Sequence, residues 1–338
     1  MGGTIYHPDY DGITGDAIGH TLTTLTRTSA LDSSDLNSGT GDIFMDTSFS
    51  RRSFLMASAA APLLFSAFGD SDAYGLAPAT SWEKALIVGK PDKNTLSELK
   101  SAGFDGVESR AADISPKEAV ECRRIAEDVG MRIHSVLRGW MKFNSKKQAE
   151  VKDSIEKVKR GLHAAEGFGA DALLVVPCRI GGMKMPKPWE FDIAFDKKTG
   201  HLKRVVKGDN MPYKDYIGAH NYATDASKEA VKKLIPVAEE CGVTIALENV
   251  WNNLWVTPAL FNNFVASFNS PWVQAYFDIG NHVKYAKPES FIKALGPRIS
   301  KIHVKDFKLN PDGHGGKFVD IGDGSVDFPS VMEQLDRA

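Results

Sequence analysis

The chain has 338 residues, of which 42% are hydrophobic and 25% are charged, and its formal net charge is −2. This balance is typical of a folded globular protein and excludes disordered, collagen-like and disulfide-scaffold classes. The basic residues are dispersed along the chain, whereas a nucleic-acid surface needs clustered Lys and Arg, so no nucleic-acid partner is expected.

An export-signal pattern begins 50 residues into the chain. Arg51 and Arg52 precede an uncharged stretch, rich in Ala and Leu, that runs to Phe68, and Ala77-Pro78-Ala79 matches an A-x-A cleavage site. These are the parts of a secretory signal peptide. The apolar stretch is shorter than the about 20 residues that span a bilayer, so we expect no stable membrane anchor after processing.

The arginine pair before Ser-Phe-Leu resembles a twin-arginine export signal. We therefore expect residues 45–79 to be a signal peptide that directs the protein to the periplasm. Since a signal normally begins a chain, we expect translation to start at Met45. Residues 1–44 are then a spurious or disordered leader. The first 50 positions hold seven acidic residues and one basic residue. A buried helix that follows two arginines is the alternative.

From about residue 80 onward, short β-branched runs alternate with amphipathic helical stretches, which predicts βαβ units and a parallel sheet. The seven predicted strands are 85–89, 106–109, 132–137, 172–177, 243–249, 273–279 and 299–306. The main helical patterns are 116–129, 146–168, 227–241, 258–268, 290–295 and 328–335. Glycines that suit left-handed helix ends follow several of the helical stretches, namely Gly103, Gly130, Gly169 and Gly242.

Residues 80–338 have the length of an eightfold barrel, which takes about 250 residues. The segment 179–221 has no strand pattern and leaves no room for an eighth strand before Ala338. We therefore predict an α/β domain at 80–338, a (β/α)8 TIM barrel truncated before strand eight. A doubly wound open sheet is the alternative, but no glycine-rich phosphate loop follows the first predicted strand.

The three cysteines, Cys122, Cys178 and Cys241, are far apart and form no CxxC pair. This spacing argues against a zinc ribbon or a disulfide framework. We expect buried free thiols.

Three consecutive predicted strands carry metal-type ligands near their carboxyl ends. Glu248 and Asp278 are each the last residue on one face of their strands, and His303 shares one face of the next strand with Lys301 and Lys305. In a barrel, the carboxyl ends of the strands form the active face. Two carboxylates and an imidazole suit a divalent ion, with Mn²⁺, Mg²⁺, Co²⁺ and Zn²⁺ all open.

Four runs in this order, residues 247–249, 277–282, 301–306 and 322–328, resemble the xylose isomerase-like TIM-barrel superfamily, which includes sugar phosphate isomerases and epimerases. The resemblance covers roughly residues 84–338. It implies that Glu248, Asp278 and His303 are metal ligands. The epimerase-type pattern adds a fourth ligand, a Glu on strand eight, and the sequence ends before that position.

The resemblance also implies substrate-binding residues. Glu108 and His134 occupy positions where members of the superfamily often place substrate-facing polar groups, and Lys317 stands where relatives often carry an Arg. Many relatives have a substrate-contacting His at the position of Asn281, whereas here a histidine comes one residue later. Further candidates in and beside the matching runs are Asn249, Trp251, His282, Lys305 and Asp306.

These features predict a metal-dependent isomerase or epimerase that acts on a small-molecule sugar or keto-sugar through an enediolate. Glu248 is the predicted base. Two alternatives remain open: a metal-dependent lyase or dehydratase acting on an oxidised sugar or cyclitol, and a non-catalytic sugar-binding protein on a degraded barrel. A homo-oligomer is also left open.

Overall fold

The computed structural model describes residues 23–28 and 81–338. The predicted signal peptide at 45–79 lies outside the described residues, as does the predicted leader at 1–44 apart from 23–28. The strands are β1 (Thr23–Thr28), β2 (Ser81–Val88), β3 (Gly106–Ser109), β4 (Arg132–Trp140), β5 (Ala172–Val176), β6 (Ala194–Phe195), β7 (Leu202–Arg204), β8 (Thr244–Glu248), β9 (Val273–Asp278), β10 (Ile299–Val304), β11 (Asp306–Leu309) and β12 (Gly316–Val319). The helices are α1 (Lys93–Ser101), α2 (Pro116–Val129), α3 (Gln148–Phe168), α4 (Lys214–Cys241), α5 (Pro258–Ala266), α6 (Pro288–Leu295) and α7 (Phe328–Asp336).

Seven parallel strands form most of a barrel, in the order β2-β3-β4-β5-β8-β9-β10. A helix lies between each of them and the next parallel strand, which is the repeating unit of a TIM barrel. All seven predicted strands are present, so the predicted fold class is confirmed. In the described part of the chain, β1 lies between β2 and β10 and pairs antiparallel with both, and no eighth parallel strand occurs there.

Local signals explain where the helices begin and end. Ser115 caps α2 and forms a reciprocal capping box with Glu118, so both satisfy free backbone N–H groups of the first turn. Gly130 ends the same helix at φ 73°, a left-handed conformation that costs glycine little. The predicted glycine ends of α3 and α4 have the same conformation.

Helix α4 begins at Lys214, well before the predicted start at 227. The last two turns of the segment 179–221, which showed no strand pattern, therefore belong to α4. Aromatic and histidine residues obscured a helical face there, on which Tyr216, His220 and Thr224 are buried at intervals of four residues. The rest of the segment contains the two-stranded β6–β7 sheet.

The interior of the barrel is lined by alternate strand residues. Its apolar part is a small cluster that consists of Ala172, Leu174, Val176, Ala246, Val250 and Tyr276. The opposite strand faces pack against the helices in a larger core. This alternation places the polar residues at the strand ends inside the barrel mouth.

The three cysteines are buried and form no disulfide, as the sequence predicts. Among residues 23–28 and 81–338, no helix has the length and apolar character needed to cross a membrane.

Burial of His220 predicts a loss of stability in acid. Its Nε2 accepts a hydrogen bond from the Trp255 backbone N–H at 3.3 Å, and burial together with the nearby His201 lowers the pKa of His220 to about 3. In the unfolded chain the pKa of histidine is about 6.5, so the unfolded state takes up the proton first as the pH falls. Between pH 6.5 and pH 3 we expect this group alone to cost about 1.4 kcal/mol of unfolding free energy per pH unit.

Urea unfolding at pH 7 and pH 5 checks this prediction. The wild-type chain should lose about 2 kcal/mol more stability between the two pH values than the His220→Gln variant loses. His314→Gln, at an exposed position, is the matched control. An equal pH dependence in the wild type and His220→Gln would contradict the prediction.

Candidate functional site

Strands β8, β9 and β10 bring Glu248, Asp278 and His303 together at the carboxyl end of the barrel. All three are buried, and one ligand atom from each lies within 4.8 Å of the others. His303 Nδ1 is 3.1 Å from Glu248 Oε1 and 4.0 Å from Asp278 Oδ2. The structure thus places the three predicted residues at one site, while their role as metal ligands stays a prediction.

Glu108, at the end of β3, contacts the other side of the His303 ring. Its Oε2 is 2.7 Å from His303 Nε2, and its Oε1 accepts a hydrogen bond from Ser135 Oγ at 3.1 Å. Ser135 Oγ lies 3.2 Å from the Tyr276 hydroxyl. Glu108 is fully buried and holds the His303 imidazole in place. The sequence predicted a substrate-facing role for Glu108 and not this contact.

The carboxylates around His303 favour the charged form of its imidazole. Burial opposes the charge, but the carboxylates of Glu108 and Glu248 outweigh it and raise the pKa of His303 to about 10. On the far side of the cluster, Lys305 Nζ lies 2.8 Å from Asp278 Oδ2. Three buried carboxylates therefore face two buried or half-buried cations.

The charge balance of this cluster fits a divalent ion. With Glu108, Glu248, Asp278, His303 and Lys305 ionised, one negative charge is uncompensated. A divalent ion held by Glu248, Asp278 and a neutral His303 would neutralise the cluster, and Glu108 would still accept the Nε2 proton. Carboxylate support of a ligating histidine in this way is common in metal sites. Mixed oxygen and nitrogen donors leave the identity of the metal open.

The orientation of Asp278 is set by backbone contacts. Its Oδ1 accepts hydrogen bonds from the backbone N–H groups of Gly280 and Asn281, at 3.0 and 2.8 Å, which leaves Oδ2 directed at His303 and Lys305. The Asn249 side chain makes two hydrogen bonds with the Asp278 main chain. Its Oδ1 accepts from the Asp278 N–H at 2.6 Å, and its Nδ2 donates to the Asp278 carbonyl at 2.8 Å. Asn249 therefore ties β8 to β9, and its substrate contact stays a prediction.

Aromatic rings form one wall beside the cluster. Trp251 lies 5.0 Å from the Phe318 ring and 5.9 Å from the Phe307 ring, and its Nε1–H donates to the Asn281 backbone carbonyl. Lys284 Nζ sits 3.4 Å above the Trp251 ring, and burial lowers the pKa of Lys284 to about 8. Lys284 was not identified in the sequence, because no motif distinguishes it from other lysines.

Two other residues that were predicted to contact the substrate are His282 and Lys317. Their described hydrogen bonds do not reach the cluster of Glu248, Asp278 and His303. His282 donates from Nε2 to the Val250 carbonyl at 3.1 Å, and burial lowers its pKa to about 4. Lys317 is exposed on β12, opposite Lys308 in the β11–β12 hairpin. Their contacts with a substrate stay predictions.

His134 is buried on β4, with Nε2 3.5 Å from Ser135 Oγ. Burial, followed by the positive charges of Lys301, Arg132 and His303, holds its pKa well below the usual range. His134 is therefore neutral in the barrel interior, beside the hydroxyl that supports Glu108.

Asp306 organises the loop that follows the β11–β12 hairpin. Its Oδ1 accepts hydrogen bonds from the backbone N–H groups of Phe307 and Val326, and its Oδ2 accepts from those of Gly322 and Gly324, all at 2.8–3.2 Å. A Cβ at Gly324 would collide with the Asp306 carboxylate, which explains the glycine there. Asp306, which the motif predicted to contact the substrate, therefore stabilises this loop.

Comparisons with known proteins agree with this fold. A family model described as xylose isomerase-like TIM barrel matches residues 96–338. The chain is 29% identical over 274 residues to the L-ribulose-5-phosphate 3-epimerase UlaE of Escherichia coli O1:K1 / APEC, covering 77% of this chain and 83% of that protein. It is also 28% identical over 117 residues to the uncharacterised protein MJ1311 of Methanocaldococcus jannaschii, a match that spans 33% of this chain and only 39% of that protein.

Among solved structures, the IOLI protein with a binding zinc atom aligns with a TM-score of 0.53 and 15% identity, over 74% of this chain and 84% of that chain. This likeness supports the barrel fold. Because the family model spans more than half of the chain and nearly all of the described barrel, the chain belongs to the xylose isomerase-like TIM barrel family.

Proposed function

We propose that this protein is a metal-dependent sugar epimerase or isomerase that works through enediolate proton transfer. The observation that carries the proposal is the buried cluster of Glu248, Asp278 and His303 in the barrel mouth, whose charge balance suits a divalent ion. The match to a ribulose-phosphate 3-epimerase, over most of both chains, supports this reaction class. The IOLI protein has the same fold and was solved with a binding zinc atom, which supports a metal in the proposed site.

Each residue of the cluster has a distinct task in this proposal. Glu248, Asp278 and His303 would hold a divalent ion, which would supply Lewis-acid stabilisation of an enediolate. Glu248 is 8% exposed, the most accessible of the three, so it is the carboxylate placed to take a proton from a bound sugar. Glu108 keeps the His303 ring in one tautomer, and Lys305 compensates the charge of Asp278.

The aromatic wall complements these groups. Trp251 and the two phenylalanines beside it present apolar ring surface next to charged side chains, a combination that is common in small-molecule sites. Lys284 and Lys305 add positive charge at the same place, which favours an anionic group such as a phosphate or an enediolate oxygen.

The test is solvent-deuterium exchange by NMR on a panel of ketopentoses and ketohexoses, each free and 5-phosphorylated, with Mn²⁺, Mg²⁺, Co²⁺ or Zn²⁺. We expect deuterium to enter at the carbon next to the carbonyl, together with epimer or isomer formation, and we expect chelation to stop both. Loss of water from an oxidised sugar or cyclitol would instead support the dehydratase alternative. Binding of sugar without exchange in any metal would support the non-catalytic alternative and contradict the proposal.

A further inference from the structure

A second cluster of metal-type side chains lies at the opposite end of the barrel. His163 and Glu166 are one turn apart on α3, and Cys241 is the last residue of α4. Gly242 ends α4 at φ 64° and leads the chain into β8. Since Glu248 is at the other end of β8, a strand about 13 Å long separates this cluster from the barrel mouth.

The distances within the cluster are close to those between ligands around one ion. His163 Nδ1 is 3.4 Å from Cys241 Sγ and 3.8 Å from Glu166 Oε2. The three ligand atoms all lie within 4.8 Å of one another. In tetrahedral zinc, with a Zn–S bond of about 2.3 Å and Zn–N or Zn–O bonds of about 2.0–2.2 Å, neighbouring ligand atoms are about 3.4–3.6 Å apart.

The electrostatic surroundings also favour a cation. Helices α3 and α4 pack together and both end beside the cluster, so the negative ends of two helix dipoles point toward it. Cys241 is buried, whereas the side chains of His163 and Glu166 are 45% and 35% exposed. A metal ion therefore has access from solvent on one side and a buried sulfur ligand on the other.

We propose that Cys241, His163 and Glu166 form a second metal site, selective for a thiophilic divalent ion such as Zn²⁺, with its fourth position open to water. A thiolate, an imidazole and a carboxylate form a donor set that zinc accepts, and the sulfur ligand disfavours Mg²⁺ and Mn²⁺. The site joins the ends of two helices at the base of the barrel. It does not depend on the sugar chemistry proposed for the barrel mouth.

Cobalt titration of the full chain under reducing conditions tests the proposal, because only this one of the two proposed metal sites contains sulfur. Thiolate bound to Co²⁺ gives a charge-transfer absorption in the near ultraviolet, which the oxygen and nitrogen donors of Glu248, Asp278 and His303 do not give. We expect this absorption to saturate at one equivalent and to disappear when Zn²⁺ is added. It should be absent from Cys241→Ala and retained in Cys122→Ala, the matched loss of another buried thiol.

Two variants on the exposed side provide a test that does not disturb the core. We expect His163→Gln and Glu166→Gln each to weaken Co²⁺ binding at this site by about tenfold or more. These variants decide the question if Cys241→Ala does not fold. The proposal is overturned if the wild type shows no charge-transfer absorption, if the absorption survives in folded Cys241→Ala, or if both exposed-side variants bind Co²⁺ as tightly as the wild type.

Discussion

Replacement of Glu248 by Gln is expected to lower kcat by about 10²–10⁴-fold at saturating metal while the fold stays intact. The amide has nearly the shape of the carboxylate and retains an oxygen donor, but it cannot accept a proton from the carbon next to the carbonyl. The change also removes one of the three carboxylates within 4.0 Å of His303, so weaker metal binding is expected as well.

Two measurements separate these effects. Calorimetric titration gives the metal affinity of the variant, and deuterium exchange at saturating metal gives the proton-transfer step alone. Glu239→Gln, on an exposed position of α4, is the control and should retain wild-type exchange. Full activity of Glu248→Gln once the metal site is saturated would show that another group is the base.

Replacement of Asp306 by Asn is expected to lower the free energy of unfolding by about 2–4 kcal/mol. The buried carboxylate accepts four backbone hydrogen bonds, two on each oxygen, and the amide would turn an NH₂ group toward two of those donors. Hydrogen bonds to a charged group are worth about 1.5–3 kcal/mol each. The one oxygen that Asn retains can accept from only two of the four donors, so the other two hydrogen bonds are lost.

Urea unfolding measures this loss. Asp323→Asn changes the same side chain in the same loop, but at an exposed position, and should alter stability by no more than about 0.5 kcal/mol. If Asp306→Asn raises KM and leaves unfolding unchanged, then the substrate contact predicted from the motif is correct and the structural assignment is wrong.

The strand pattern was the most predictive feature of the sequence. Residues of a parallel barrel alternate between the interior and the helix layer, and the carboxyl ends of the strands meet at one mouth. These two regularities are local, so they were enough to place Glu248, Asp278 and His303 together. They did not reveal the start of α4, because its buried face includes Tyr216 and His220, which are typical of loops as well as of helices.

The roles of buried polar residues depended on contacts between distant parts of the chain. Glu108 and His303 are 195 positions apart, and only closure of the barrel sets their 2.7 Å contact. The hydrogen bonds that tie Asp306 to the loop at 322–326 likewise required a fold in which that loop returns to the end of β10.

By itself, the sequence determined the barrel class, its strand order along the chain and the three side chains at the mouth, because periodicity and strand direction are properties of short segments. Only the tertiary structure decided which groups these side chains contact. In the folded chain, Glu108 contacts the His303 imidazole, and Asp306 binds the backbone of the loop at 322–326. The tertiary structure also brought Cys241 to within 3.4 Å of His163, 78 positions away, where the spacing of the cysteines had predicted only buried thiols. The physical reason is that a hydrogen bond or metal ligand depends on distances of a few ångströms, which packing between remote elements sets.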